Sequence, residues 1–333
     1  MRVLIASHRD VKKFLSMHEC IEVMADTLMM LGRRNAVNPL RNLMWLPDKS
    51  GLLGMMPAFL GEAGVMGLKA ISVFPGNHRT EYDSHQGTVM LFETENGRLL
   101  AMMDAGKITE IRTAAVSAVA TKLLARPDAK DLAILGSGVQ ARSHLDAMRA
   151  VRQIDAVRVW SPHINHAQSF AERESQRHGL PIKAVETARQ AVEGADVICT
   201  VTSATEPILQ GSWIEPGAHI NAVGSSVPFA RELDSEAVVK SRLYVDRRES
   251  TLSEAGDFLI PQKEGAIGDG HIVGEIGELL LDKIKGRTSP AEVTLFKSLG
   301  LAVEDVAAAH YILQKMSAGG QGTWVELGAL KTG

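Results

Sequence analysis

Residues 131–147 read DLAILGSGVQARSHLDA, and this stretch constrains the fold more than any other. Residues 132–135 form a short apolar run of strand length. It leads directly into Gly136-Ser137-Gly138-Val139-Gln140-Ala141, after which Ala141, Leu145 and Met148 recur at helical spacing. Strand, glycine-rich turn and helix in immediate succession are the setting in which a GxGxxA pattern binds a dinucleotide. Gly136 permits the tight turn, Gly138 lets the main chain approach a pyrophosphate, and Ala141 is small where the helix meets the strand. The helix N-terminus then offers unbonded N–H groups and the positive end of its dipole to the phosphates. The pattern alone is weak. The flanking strand, the helix and the βα units that follow give it weight over a glycine-rich turn of another α/β protein.

Those later units are visible as alternation. Strand candidates lie at 132–135, 156–160, 182–185, 197–201, 219–223, 242–246 and 293–298, with helical segments such as 167–177 and 187–193 between several of them. This order predicts a doubly wound parallel sheet with right-handed crossovers and ligands beyond the carboxyl ends of its strands. Residues 1–126 have a different texture. A short strand at 3–6 precedes a helix with Ile21, Met24, Leu28 and Leu31 on one face, opened by Ser16 or His18. Strand candidates at 41–45, 51–56, 65–73, 87–92 and 99–104, with Glu95-Asn96-Gly97 placed for a hairpin, predict an antiparallel sheet. The polar loop 75–85 is long enough to border a ligand. Helices are expected over 105–126 and 301–316, and Trp324-Val325-Glu326-Leu327 is a candidate return to the N-terminal part.

Bulk properties bound the function. With 333 residues, 45% of them hydrophobic, the chain buries one large or two ordinary cores without staples. A net charge of −3 gives no reason to expect nucleic acid or an anionic membrane. Cys20 and Cys199, far apart in apolar surroundings, argue against a disulfide framework or zinc cluster and fit a reducing cytoplasm. Neither a signal-peptide run at the start nor a bilayer-length apolar run is present, so a soluble cytoplasmic protein is expected. His78 and His85 flank Glu81 and Asp83, but the loop offers no fixed ligand geometry and no metal is expected. Ser225-Ser226 lacks a nucleophile-elbow context.

The cofactor type is read at the end of the second strand, 156–160, where Ser161-Pro162-His163 follows. No carboxylate stands there to take both ribose hydroxyls; Asp155 is at the opposite end of the strand. Ser161, supported by His163, suits a 2′-phosphate, although no arginine follows directly. NADP(H) is favoured, with NAD(H) the alternative.

Several motifs, taken in order, are together specific: Met56-Pro57, Gly67-Leu68-Lys69, Glu110-Ile111-Arg112-Thr113-Ala114-Ala115, the GSGVQA turn, Asn221-Ala222-Val223-Gly224-Ser225-Ser226 and Arg231-Glu232-Leu233. On these the chain resembles the ornithine cyclodeaminase/mu-crystallin family over nearly its whole length. The resemblance implies an α/β protein with a Rossmann-type doubly wound parallel sheet at 116–311. It also implies a discontinuous α+β substrate-binding and dimerisation domain, 1–115 with 312–333, and a homodimer. It implies that Arg41, Lys69 and Arg112 hold a substrate α-carboxylate, by paired guanidinium bonds and an ammonium point charge. Arg41 or Arg112 alone reads equally well as a solvated surface charge. Lys69 does not, because it interrupts GVMGLKAISVF, where an unpaired ammonium is costly. The expected cofactor contacts are Arg112, Thr113, Gly136, Gly138, Val139, Gln140, Ser161, Val223 and Ser298.

Two departures sharpen the expectation. Cyclodeaminases of the family carry a glutamate where Gly54 stands and a catalytic aspartate where Ser226 stands. Without them a partner for substrate amino groups and a proton-transfer carboxylate are lost. A serine at the second position resembles the ketimine reductase-like members. The expected activity is therefore NAD(P)H-dependent reduction of a cyclic imino acid, such as 1-pyrroline-2-carboxylate or 1-piperideine-2-carboxylate, with Lys69 or a water held by Ser226 as proton donor. The alternatives are an amino-acid dehydrogenase, reductive aminase or cyclodeaminase-like enzyme, and a weakly catalytic protein that binds cofactor and a small ligand.

Overall fold

The computed structural model describes residues 2–328, apart from the side chains of His78 and Arg79. Met1 and residues 329–333 of the expected discontinuous domain therefore lie outside the described residues. In chain order the strands are β1 (Arg2–Ala6), β2 (Ala36–Val37), β3 (Asn42–Trp45), β4 (Leu52–Leu60), β5 (Val65–Val73), β6 (His85–Glu93), β7 (Leu99–Asp104), β8 (Asp131–Leu135), β9 (Ala156–Trp160), β10 (Ile182–Ala184), β11 (Val197–Thr200), β12 (His219–Ala222), β13 (Ser241–Val245), β14 (Ile272–Glu275), β15 (Val293–Lys297) and β16 (Thr323–Glu326). The chain divides into two compact units, Met1–Arg112 with Leu301–Gly333, and Thr113–Gly300.

The first unit holds a sheet in the order β16-β1-β7-β6-β5-β4-β2, with β3 also paired to β4. From β4 to β7 the neighbours are antiparallel, as the alternating sequence predicts. β1 joins β7 in parallel, so the sheet is not purely antiparallel. Trp324 lies opposite Leu4, which makes the C-terminal segment an edge strand of this unit. Ser16, rather than His18, opens the helix Met17–Gly32, in a reciprocal capping box with Glu19. The β6–β7 hairpin closes on the Glu93 carboxylate, which accepts the N–H groups of Glu95, Asn96 and Arg98.

The helix Ala302–Ala318 packs on β4, β5 and β6 of this sheet and on the helix Met17–Gly32, with Val303, Val306, Ala309 and Ile312 among its buried residues. A Cβ on Gly67 of β5 would lie 2.6 Å from Val306 Cγ2, so glycine is what allows the approach. The helix belongs to this unit from its first turn. The sequence expectation set the divisions at 115/116 and 311/312. The contacts set them at 112/113 and 300/301, because that first turn is already packed on the sheet.

The second unit holds a parallel sheet in the order β10-β9-β8-β11-β12-β15-β13-β14. Leu132, Ala133, Ile134 and Leu135 are all fully buried, as expected of a parallel strand covered on both faces. β14 is a strand that the sequence reading does not anticipate; at Ile272-Val273-Gly274-Glu275 it carries too little apolar pattern to stand out. The strand order reverses between β8 and β11, and crevices at such switch points are where doubly wound sheets take their ligands.

Candidate active site

In the first unit, charge gathers where apolar packing would be the default. Lys69 sits mid-way along β5, paired across to Met56 and Val89, and is 3% exposed. Its Nζ lies 2.7 Å from Asp305 Oδ2. Arg112 is buried as well; its Nε donates to Asp305 Oδ1 at 2.9 Å and an Nη donates to Glu304 Oε2 at 2.6 Å. Arg112 is thus no surface charge. Two buried cations are matched by two buried carboxylates, which is the condition under which such charges are tolerated. Burial pushes the Lys69 ammonium down to about 8, with Arg112 and Arg41 adding to the push and Asp305 opposing it. For Arg112, burial works against the charge, but Asp305 and Glu304 outweigh it and hold the guanidinium above its ordinary value. Arg41, just before β3, is near enough to act on Lys69 electrostatically. The His85 imidazole at the start of β6 is pushed down by desolvation and by Lys69.

A Cβ on Gly54 of β4 would meet Ile71 Cγ2 at 3.3 Å and Leu43 Cδ2 at 3.4 Å, so the space at this position is tight.

In the second unit, the cofactor candidates line one edge. Gly136 has φ +124, and a Cβ there would lie 2.9 Å from Val201 O, so the turn requires glycine. Gly138 is the N-cap of the helix Val139–Val151, and a Cβ on it would meet nothing within 4 Å. Open space and the unbonded helix N–H groups fit a dinucleotide phosphate. Val139 stands exposed beside them. Ser161 follows β9 and its Oγ accepts from Ser137 Oγ at 3.1 Å. Val223 follows β12, with its N–H on Thr200 O, and Ser298 follows β15, with its N–H on Ala222 O. These positions all lie past the carboxyl ends of neighbouring parallel strands. Thr113 is buried in the helix Ala105–Leu124.

Ser226 lies on a loop held by a buried network. Lys297 Nζ donates to Ser225 O at 2.5 Å and to Asp257 Oδ2 at 2.9 Å. Asp257 Oδ1 accepts the N–H groups of Glu232 and Leu233. The Glu232 carboxylate accepts from Thr200 Oγ1, Thr202 N, Thr202 Oγ1 and Gly224 N, each at 2.7 Å. Burial and the neighbouring Asp257 raise its pKa despite those donors. Both ends of the segment carrying Ser226 are therefore fixed from below.

Sequence reasoning missed Glu304 and Asp305 as site residues, and missed the joint role of Glu232, Asp257 and Lys297. The signal was there: LAVEDVAAAH and VTLFKS each place charge inside an apolar run. The His78 side chain lies outside the described ones. Among the described residues no group of three or more His, Cys, Asp or Glu is arranged to hold a metal ion, and no helix is long and apolar enough to cross a membrane.

The chain is 43% identical over 286 residues to the Mus musculus protein named ketimine reductase mu-crystallin, covering 85% of this chain and 86% of that one. The structure of Thermococcus litoralis Δ1-pyrroline-2-carboxylate reductase in complex with NADH and L-proline matches with a TM-score of 0.94 and 41% identity, covering 96% of this chain and 99% of that one. An archaeal alanine dehydrogenase dimer with bound NAD matches with a TM-score of 0.93 and 30% identity, covering 98% and 99%. The family profile matches residues 1–320, and the chain belongs to the ornithine cyclodeaminase/mu-crystallin family.

Proposed function

We propose that this protein reduces the C=N bond of a small cyclic imino acid, 1-pyrroline-2-carboxylate or 1-piperideine-2-carboxylate, to proline or pipecolate. It is an NAD(P)-dependent oxidoreductase acting on C=N. The observation that carries the reading is the buried Lys69–Asp305–Arg112 cluster, combined with Gly54 and Ser226 where a cyclodeaminase has carboxylates. A bound nicotinamide supplies the hydride. Arg41, Lys69 and Arg112 orient the substrate through its carboxylate. Lys69, with its pKa near 8, is charged at neutral pH and close to giving up a proton, which suits it to protonating the imine nitrogen. A water on Ser226 is the other candidate donor.

Arg112, Thr113, Gly136, Gly138, Val139, Gln140, Ser161, Val223 and Ser298 are the proposed cofactor contacts. Ser161 speaks for NADPH, and the NADH- and NAD-bound relatives speak for NADH. The alanine dehydrogenase dimer supports a homodimer, and two buried free thiols, Cys20 and Cys199, suit a reducing cytoplasm.

The test is oxidation of NADPH and of NADH by the purified protein with 1-pyrroline-2-carboxylate. Rapid turnover is expected, and the ratio of kcat/KM between cofactors tests Ser161. Turnover only with a 2-oxo acid plus ammonia would replace this reading with an amino-acid dehydrogenase. Cofactor binding without any turnover would replace it with a binding protein.

A further inference from the structure

We propose that the first turn of the helix Ala302–Ala318 is the scaffold of the carboxylate-binding cluster, and that Asp305 is the positioning residue that fixes both the place and the charge of Lys69. This rests on the reductase reading for the role of the cluster, but not for its geometry.

Three separate chain segments converge on residues 301–306. Asp305 divides its two oxygens between Lys69 Nζ at 2.7 Å and Arg112 Nε at 2.9 Å, and it is fully buried. Glu304 Oε2 accepts from an Nη of Arg112 at 2.6 Å and from the Leu301 N–H at 3.1 Å. One carboxylate thus caps the helix and holds a proposed substrate arginine. The Val303 N–H donates to Asn38 Oδ1 at 3.1 Å, three residues before Arg41. Gly67, two residues before Lys69, lets Val306 come against β5. The segments bearing all three proposed carboxylate ligands are therefore tied to one helical turn.

A purely structural role explains this less well. Apolar side chains would fill the same space without taking four charges out of water, and such replacements are often neutral or stabilising. What apolar packing cannot do is keep Lys69 charged. The groups facing Lys69 are Asp305 from the helix, Arg112, Arg41 before β3, and His85 from β6. Glu304 lies beyond Arg112. The Cys20 thiol of the helix Met17–Gly32 faces Arg112, Glu304 and Asp305, and burial keeps it protonated. Asp305 is the carboxylate in direct contact with the Lys69 ammonium. Without it, burial and two guanidinium groups push the proton off at lower pH.

The experiment compares the wild-type chain with Asp305→Asn and Asp305→Glu. It measures steady-state reduction of 1-pyrroline-2-carboxylate over roughly pH 6 to 10 and binding of pyrrole-2-carboxylate by calorimetry. Asp305→Asn is expected to raise KM for the imino acid about tenfold while leaving KM for the nicotinamide within about twofold. It is expected to move the alkaline limb of kcat/KM down by about one pH unit. Asp305→Glu should return part of both effects. A folded Asp305→Asn protein with unchanged KM, limb and ligand affinity would overturn the proposal. If Asp305→Asn does not fold, Asp305→Glu decides: weakened binding of pyrrole-2-carboxylate with KM for the nicotinamide within about twofold of wild type supports the proposal, and wild-type affinity for pyrrole-2-carboxylate overturns it. If the wild-type chain reduces no imino acid, the reductase reading fails, and the calorimetry still tests the scaffold.

Discussion

Each unit buries one lysine–aspartate pair of nearly the same length, Lys69–Asp305 at 2.7 Å and Lys297–Asp257 at 2.9 Å. All four side chains are almost completely buried. The pairs differ in what else the aspartate holds. Asp257 turns its second oxygen to two backbone N–H groups, those of Glu232 and Leu233. Asp305 turns its second oxygen to another cation, Arg112. The first arrangement fixes main chain, and Lys297 extends that by holding Ser225 O. The second fixes side chains that stay charged. One pair shapes a loop; the other holds the cations proposed to bind a substrate carboxylate.

The largest effect expected from breaking this contrast is at Lys69. Lys69→Met removes the proposed carboxylate ligand and proton donor, and kcat/KM for the imino acid should fall about a thousandfold, or about 4 kcal/mol of transition-state stabilisation. The urea midpoint should fall as well, because one of the two buried cations that balance Glu304 and Asp305 is gone. A variant with wild-type kcat/KM would remove Lys69 from the mechanism.

The counterpart is Asp257→Asn, where stability is the main loss. The amide keeps an acceptor for the two N–H groups but leaves Lys297 buried without its counter-charge. About 3 kcal/mol should disappear from the unfolding free energy in urea. Activity should fall only as far as the Ser226 loop shifts. If stability holds while activity collapses, the two pairs are not the different devices described above.

The same contrast separates by pH. Burial pushes Lys69 down to about 8, so its expected effect is on the alkaline limb of activity. The second unit buries two imidazoles that stay neutral. Burial pushes His144 down to about 4 and His219 to about 3, from an ordinary 6.5. His144 Nδ1 faces the Gln140 carbonyl at 2.8 Å, which can only accept, so Nε2 is left to accept from Ser117 Oγ at 2.9 Å. The neutral ring satisfies both contacts, and burial disfavours the charged one. Because the folded pKa values are depressed, the stability is fully present above about 6.5 and is lost as pH falls toward 4 and below. At pH 5 each ring should account for about 2 kcal/mol of lost unfolding free energy. Urea titrations of wild type against His144→Gln at pH 7 and pH 5 check this. An equal pH slope in the two proteins would exclude His144 as a source.

The two regions were also unequally legible in the sequence. The cofactor edge is local: strand, GSGVQA and helix are consecutive, and the chemistry lies in backbone geometry that only certain residues permit. Gly136 with φ +124 is such a position. The cation cluster is non-local. Arg112 and Asp305 meet across 193 residues, and no spacing rule connects them. Lys69 announced itself as a charge in an apolar run. Glu304 and Asp305 made the same signal, but on a helix whose apolar residues already explained it. The division was read at 311/312 instead of 300/301 for the same reason: the first turn of that helix reads as core, and what it is core to depends on contacts far away in the chain. β14 was lost because a strand of four residues carries almost no period.

The smallest effect expected lies where the structure leaves room. A Cβ on Gly138 meets no atom within 4 Å, so Gly138→Ala should fold normally, with stability changed by under about 0.5 kcal/mol. The space it enters is the one proposed for the pyrophosphate. The added methyl group should therefore weaken nicotinamide binding about tenfold, or about 1.4 kcal/mol, while KM for the imino acid stays unchanged. Asp305→Asn should do the reverse, which makes the two substitutions complementary probes of the two sites. Fluorescence titration with NADH and NADPH gives the first number, and imino-acid saturation curves at fixed cofactor give the second. If Gly138→Ala binds both nicotinamides as tightly as wild type, the phosphates do not sit on this turn, and the glycine is there for the chain's own geometry.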